Sequence, residues 1–235
     1  MKRLSVFCSV TLLCFGLLAG GSSEKHIVSA STDSSEISQS VSEPERSVEE
    51  NEGADEETPA GSGDTAADVP AVYMTTDISE KGMVAIYEAL NASPSGNIAV
   101  KLSTGEPGSN YLHTDLIGDW VQSFDNPTIV ECNTAYGGQR ANTAMHYQVA
   151  EDHGYTAIAD VDIMDENGSM TLPVTGGSNL TENYVGANFA NYDYYVVLSH
   201  FKGHSMAGYG GAIKNISIGI ASSDGKAHIH SGGTG

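Results

Sequence analysis

Two histidines, two lysines and four glycines crowd into Ser199-His200-Phe201-Lys202-Gly203-His204-Ser205-Met206-Ala207-Gly208-Tyr209-Gly210-Gly211-Ala212-Ile213-Lys214-Asn215. Imidazoles titrate near neutral pH and ligate metals, so His200 and His204 are candidate metal ligands and candidate acid–base groups. Lys202 stands beside them as a third candidate catalytic group. Gly208, Gly210 and Gly211 let backbone approach a ligand closely. Lys214 and Asn215 follow as candidate contacts to an anionic cofactor or substrate. Known phosphate fingerprints fail here. Ile213 stands where a dinucleotide loop needs its third glycine, and Lys214 follows Ile213 rather than the glycine of a P-loop. The plainer alternative is a tight strand-to-helix crossover with solvent-facing histidines.

A second stretch reads Glu131-Cys132-Asn133-Thr134-Ala135-Tyr136-Gly137-Gly138-Gln139-Arg140. Arg140 can clamp a carboxylate or phosphate with two parallel hydrogen bonds, with Asn133 as a further cofactor contact. It can equally pair with a surface acid at a helix start. His146 reads as a structural helical histidine, and Cys132 as a small buried hydrophobe. Asp160, Asp162, Asp165 and Glu166 crowd together, but Met164 and Asp165 break the EF-hand spacing, so a solvated hairpin is expected. His228 and His230 alternate on a possible strand, where they can join the histidine site or simply fray.

These residues need a frame. Ala71–Met74, Asn97–Leu102, Thr128–Cys132, Tyr155–Ala159 and Tyr194–Ser199 read as strands. Ser79–Ala92, Thr114–Phe124, Arg140–His153 and Ala212–Ala221 read as helices, and 160–174 as a hairpin about Asn167-Gly168. Such alternation predicts an α/β fold, a mainly parallel sheet with helices on both faces. Ligands sit beyond the carboxyl ends of such strands. That rule selects the loops 105–112, 133–140 and 200–211.

Composition narrows the classes. The 235 residues carry 30 acidic side chains against 10 Lys plus Arg, a net charge of −20. Nucleic acid and anionic membrane surfaces both demand clustered cations, so neither is an expected partner. The three cysteines, Cys8, Cys14 and Cys132, exclude a disulfide framework and any four-cysteine site built from this chain alone. Residues 1–21 read as an export signal: basic Met1-Lys2-Arg3, an apolar run, then Ala19-Gly20-Gly21. Leu18-Ala19-Gly20 is similar to a bacterial lipoprotein lipobox, but Gly21 stands where the lipidated cysteine belongs. Residues 22–70 read as a disordered acidic Ser/Glu-rich linker, a surface tether or a solubilising spacer. Residues 71–235 form the expected α/β domain, exported or held at the cell surface.

Three motif groups carry a family resemblance. The first is Val100-Lys101-Leu102 with Gly105-Glu106-Pro107-Gly108-Ser109-Asn110. The second is Glu131–Gly138 with Arg140, His146 and His153-Gly154. The third is Leu198–His204, continuing through Gly210–Asn215 to Gly225-Lys226. Over roughly 72–235 the chain resembles the domain of unknown function family numbered 362, whose members are often labelled iron–sulfur centre proteins. The resemblance implies a 4Fe-4S cluster held by a C-terminal ferredoxin-like module, whose cysteines are absent from these residues. A truncated or stand-alone variant is therefore expected. A fainter similarity is to nickel-pincer lactate racemases, whose lysine holds the cofactor after a Gly-Gly-x step; here Gly210-Gly211-Ala212-Ile213-Lys214 has one residue more.

The resulting expectation is an exported cofactor- or metal-binding domain with a redox role and a redox partner, its cofactor not identified by the sequence. The alternatives are a non-catalytic, surface-displayed module that binds a small anionic ligand, and an inactive fragment.

Overall fold

The computed structural model describes Thr11–Leu13 and residues 72–204 and 207–234. Of the expected export signal only Thr11–Leu13 is described, as a short strand β1. The expected acidic linker lies outside the described residues.

Ser79 opens α1 (Glu80–Ala89), its hydroxyl accepting the Gly82 N–H at 3.2 Å. The apolar run Ile98–Lys101 forms β2, buried at all four positions as a central parallel strand should be. Then come α2 (Thr114–Gln122), β3 (Pro127–Glu131) and α3 (Thr143–Asp152). Helix α3 starts three residues later than its periodicity suggests. Asn142 caps it, accepting the Met145 N–H at 3.2 Å, and Gln139–Ala141 form a separate 3-10 turn. Gly154, at φ +83°, stops the helix as expected.

The strand expected at 155–159 is a 3-10 turn, Tyr155–Ala157, and β4 runs Asp160–Ile163 instead. The turn drives the Tyr155 ring into the core, where its hydroxyl donates to Leu112 O at 2.7 Å. β4 joins the main sheet, so the hairpin expected at 160–174 does not form. Its second half, β5 (Ser169–Pro173), pairs antiparallel with β6 (Glu182–Gly186). β7 (Tyr194–His200) follows, then a small hairpin of β8 (Lys202–His204) and β9 (Gly208–Gly210), and α4 (Ala212–Ser217). The last element, α5 (Ser223–His230), carries His228 and His230 on a helix rather than a strand. Residues 72–74 form no strand; Val72 and Met74 find no sheet edge and stay exposed.

The main sheet is parallel in the order β7-β2-β3-β4, with β1 along the outer side of β7. Alternate residues divide it into two cores. Ile98, Val100, Leu102, Ile129, Val196 and Leu198 meet Met83 of α1, Ile117, Trp120 and Val121 of α2, and Ala150 of α3. Ala99, Val130 and Tyr195 meet Val185 of β6, Phe189, Ile220 and the flank of Ile216 on α4. The fold is thus α/β with elements packed on both sheet faces. From β2 the chain steps through β3 to β4, then returns to the other side of β2 as β7. The strand order reverses between β2 and β7, and a ligand is expected in that crevice at the carboxyl end.

One glycine marks how tightly the last helix is seated. A Cβ on Gly225 would lie 1.9 Å from the Tyr184 carbonyl oxygen of β6. Gly225→Ala should therefore force α5 off β6 and destabilise the domain by about 3 kcal/mol, read as a lowered urea midpoint.

Candidate functional site

Lys101 ends β2 with its side chain fully buried. Its ammonium donates to Glu131 Oε1 at 2.8 Å, Asn215 Oδ1 at 2.7 Å and Leu102 O at 2.7 Å, so all three N–H groups are matched. Asn215 answers from α4: its amide nitrogen lies 3.1 Å from Lys101 O, 3.0 Å from Leu198 O and 3.0 Å from Ser199 Oγ. One lysine and one asparagine thus stitch β2, β3, β7 and α4 together beside the switch point.

Glu131 uses both carboxylate oxygens. Oε2 accepts the Thr104 N–H at 3.2 Å and faces Arg140 Nη1 at 3.4 Å. Burial alone would raise its pKa, but Lys101, Arg140 and the other nearby cations outweigh it and hold the carboxyl down to about 2. Arg140 also donates from Nε to Glu106 Oε1 at 2.9 Å and from Nη1 to Ser103 Oγ at 3.3 Å. It bridges Glu106 and Glu131, tying the loop after β2 to β3.

Behind this lies a buried imidazole. Asn133 donates its amide to Thr143 Oγ1 at 2.8 Å, which aims its Oδ1 at His146 Nδ1, 3.3 Å away. His146 Nδ1 therefore carries the proton, and Nε2 accepts the Thr104 hydroxyl at 2.8 Å. Burial lowers the His146 pKa to about 4, with Glu131 opposing and Arg140, Lys101 and Lys226 adding to it. Lys226 of α5 is buried too, donating to Asn133 O at 2.7 Å and Ala221 O at 2.5 Å. Asp165 accepts the N–H groups of Asn133 and Ser223, both at 2.9 Å, and Asp162 accepts from Asn188 and Tyr192. These aspartates are structural acceptors.

The glycine-rich loop has a different character. In the β8–β9 hairpin Lys202 faces Gly210 and His204 faces Gly208. Strand alternation puts Lys202 and His204 on one face, and the two opposing glycines leave that face clear. Lys214 fills the space: its Cδ lies 3.8 Å from where a Gly210 Cβ would stand, and its Nζ meets His204 Nε2. The other face pairs Phe201 with Tyr209, ring centroids 5.6 Å apart. His204 Nδ1 accepts the Ala207 N–H at 3.1 Å.

His200 sits half-buried at the end of β7. Burial lowers its pKa and Lys202 lowers it further, against a hydrogen bond with the Asn110 backbone. Burial and Lys202 likewise lower the pKa of Lys214. Among the described residues no group of three or more His, Cys, Asp or Glu is placed to hold a metal. His228 and His230 lie against Tyr184 and Tyr136 instead. Two shallow clefts open at the opposite, amino end of the sheet, each lined by one carboxylate and no cation.

The structure therefore splits the sequence-derived candidates in two. Asn133, Arg140 and Asn215 belong to the buried network. Lys202, His204, Lys214, Gly208 and Gly210 form the open face of the hairpin. Gly211 precedes α4, whose six residues make a weak dipole. Lys101, Glu131, Thr104 and Lys226 escaped the residue-by-residue reading. The signal was present in Ile98-Ala99-Val100-Lys101, a lysine closing a strand too apolar to be exposed.

Residues 98–234 match the family model described as Domain of unknown function (DUF362). The chain belongs to this family. No curated protein and no solved structure matches it. The DUF362 match spans β2 to the end of α5 and takes in both the network and the hairpin. The cluster suggested by the iron–sulfur label does not fit the residues present. Such a cluster needs four thiolates, and the chain has three cysteines. Cys132 is buried, its Sγ donating to Ile220 O at 3.3 Å, and burial pushes the thiol up to about 12.

Two expectations follow. Lys101→Met leaves Glu131 buried with one cation fewer and should cost about 3–5 kcal/mol, read in denaturant unfolding at pH 7. His146 is neutral when folded, with its pKa below the usual histidine value. Its stabilisation is complete above about pH 6.5 and is lost as pH falls towards about 4. Urea midpoints across that range should fall for the wild type by more than for His146→Gln.

Proposed function

We propose that this domain binds a small anionic ligand, a carboxylate or a phosphate compound, at the carboxyl end of β7. One observation carries the reading: within a chain of net charge −20, Lys202 and Lys214 stand together on one face with no carboxylate partner among the described residues. Glu131 and Glu106 are taken up by Lys101 and Arg140, and among the described residues no carboxylate is left for these two ammonium groups. Lys214 is half-buried, which makes an ammonium without a carboxylate partner costly, and an anion from outside, held also by the exposed Lys202, removes that cost. His200 lines the same end of the sheet, at the position where parallel α/β sheets receive ligands.

A redox role draws support from the family resemblance alone, whereas the ligand class draws support from the cations. Export of the chain is supported by the basic start and apolar run of residues 1–21.

Thermal unfolding with inorganic phosphate tests the reading. Phosphate should raise Tm by several degrees, since saturation at a hundredfold over Kd contributes about 2.7 kcal/mol. Chloride at equal ionic strength should not. The double variant Lys202→Ala/Lys214→Ala should lose the response while its own Tm changes little. A rise that survives in the double variant, or no rise in the wild type, would refute the proposal.

A further inference from the structure

Glu106 meets Arg140 as a separate carboxylate molecule would. Both of its oxygens are engaged. Oε1 accepts from Arg140 Nε at 2.9 Å, and Oε2 accepts the Gln139 N–H at 3.1 Å. Gly138 lets the carboxylate come close. A Cβ there would lie 3.1 Å from the Glu106 carboxyl carbon and from both its oxygens. Its φ of +124° is likewise one that side chains rarely adopt. The arginine does not need Glu106 to stay in place. Its Nη1 keeps Ser103 Oγ at 3.3 Å and Glu131 Oε2 at 3.4 Å, and its carbonyl accepts the Thr134 N–H at 2.9 Å.

Glu106 reaches this seat from an exposed tip with a glycine on either side. Gly105 at φ +77° and Gly108 at φ +72° bracket Glu106-Pro107. Pro107, Gly108 and Ser109 are exposed, and a Cβ on Gly108 would meet nothing within 4 Å. The end of the same loop is anchored separately, where Tyr111 stacks on His153 with ring centroids 3.7 Å apart. The Glu106 side chain is 36% exposed against 15% for Arg140, so solvent reaches the carboxylate before the guanidinium behind it.

We propose that Gly138, Gln139 and Arg140 form a carboxylate-binding seat that Glu106 fills from within the chain, and that a small carboxylate ligand enters it by displacing Glu106. The tip turns out on its two glycines while Tyr111 stays stacked. The ligand's oxygens take over the hydrogen bonds from Arg140 Nε and the Gln139 N–H, so the guanidinium keeps an anionic partner throughout. The seat uses none of the hairpin's residues and does not depend on the hairpin reading. A tethered carboxylate competes at an effective concentration on the order of millimolar. An external carboxylate must match that, so Glu106 sets a threshold. Ligands that add further contacts at the carboxyl edge of the sheet pass it, and a bare carboxylate passes it only when concentrated.

Acetate is the probe. It is titrated into the isotope-labelled full chain, exchanged against chloride at constant ionic strength, and the Gln139 backbone amide is followed by NMR. In Glu106→Ala that resonance should move saturably, with a Kd about tenfold lower than in the wild type, because the internal competitor is gone. Glu106→Gln, which keeps the shape and loses the charge, should show a smaller gain in the same direction. Adding Arg140→Lys to Glu106→Ala should abolish the response, since an ammonium lacks the guanidinium fork. Adding Lys202→Ala/Lys214→Ala should leave it intact. Equal affinity in the wild type and both Glu106 variants, or a Gln139 resonance that acetate does not move, would overturn the seat and leave the hairpin reading standing. A response lost with Lys202 and Lys214 would overturn it too, by placing acetate at the hairpin.

Discussion

Lys101 carries its charge where no water reaches it, and a buried ammonium is tolerable only when every proton has an acceptor. That requirement reaches across the carboxyl end of the sheet. Glu131 must sit on the neighbouring strand at the right register, and Asn215 must reach in from α4. Leu102 must turn its carbonyl inward. Glu131 then needs its own remaining lone pairs filled, which brings in Thr104 and Arg140. Arg140 in turn pulls Glu106 and the loop after β2 into place. A buried ion pair of this kind gives little net stability compared with apolar packing, but it penalises alternative arrangements heavily. The network therefore works as a positional lock at the switch point.

The lock explains how charge is distributed. Five of the six Lys and Arg residues in 72–235 are Lys101, Arg140, Lys202, Lys214 and Lys226, all on elements that end or begin at the carboxyl edge of the sheet. Lys101 and Arg140 are balanced by glutamates, and Lys226 is held by backbone carbonyls. Among the described residues no carboxylate balances the hairpin pair. A strongly acidic domain that collects its few cations at one edge, then neutralises those it uses as struts, leaves a small positive spot in a negative field. On the proposed reading such a spot would take a small anion rather than a large polyanion, which the net charge repels.

Much of the fold was legible because parallel strands are short, apolar and flanked by caps. β2, β3 and β7 and the helices α1 and α2 follow from runs such as Ile98–Lys101 and from Ser79 as a cap. Tyr155–Ala159 misled because its alternating pattern also suits one 3-10 turn that buries a tyrosine. β5 misled because its partner β6 lies beyond an eight-residue gap rather than across Asn167-Gly168. At the site, residue type located the hairpin: His, Lys and Gly together at a strand end. It could not say which cations were already spoken for. Arg140 and Lys214 look alike as sequence. Only the fold shows that Glu106 and Glu131 close around the first, while His204 meets the second.

The glycines of the hairpin show why motif matching stalled. A phosphate loop uses glycine to bring backbone N–H groups against an anion. Here Gly208 and Gly210 alternate on a strand, opposite His204 and Lys202. What they supply is missing bulk on one face, which lets the Lys214 side chain lie across it. A fingerprint built for backbone cradles has the wrong period for this arrangement, since a strand face repeats every two residues. The extra residue between Gly211 and Lys214 then follows from geometry. Lys214 stands in the first turn of α4 and reaches back over β9, and Asn215, the next residue, closes on Lys101. One helical turn thus presents one side chain to the open face and one to the buried lock. The integrity of the ammonium at the end of β2 and the position of the amine above the hairpin are consequences of the same short helix.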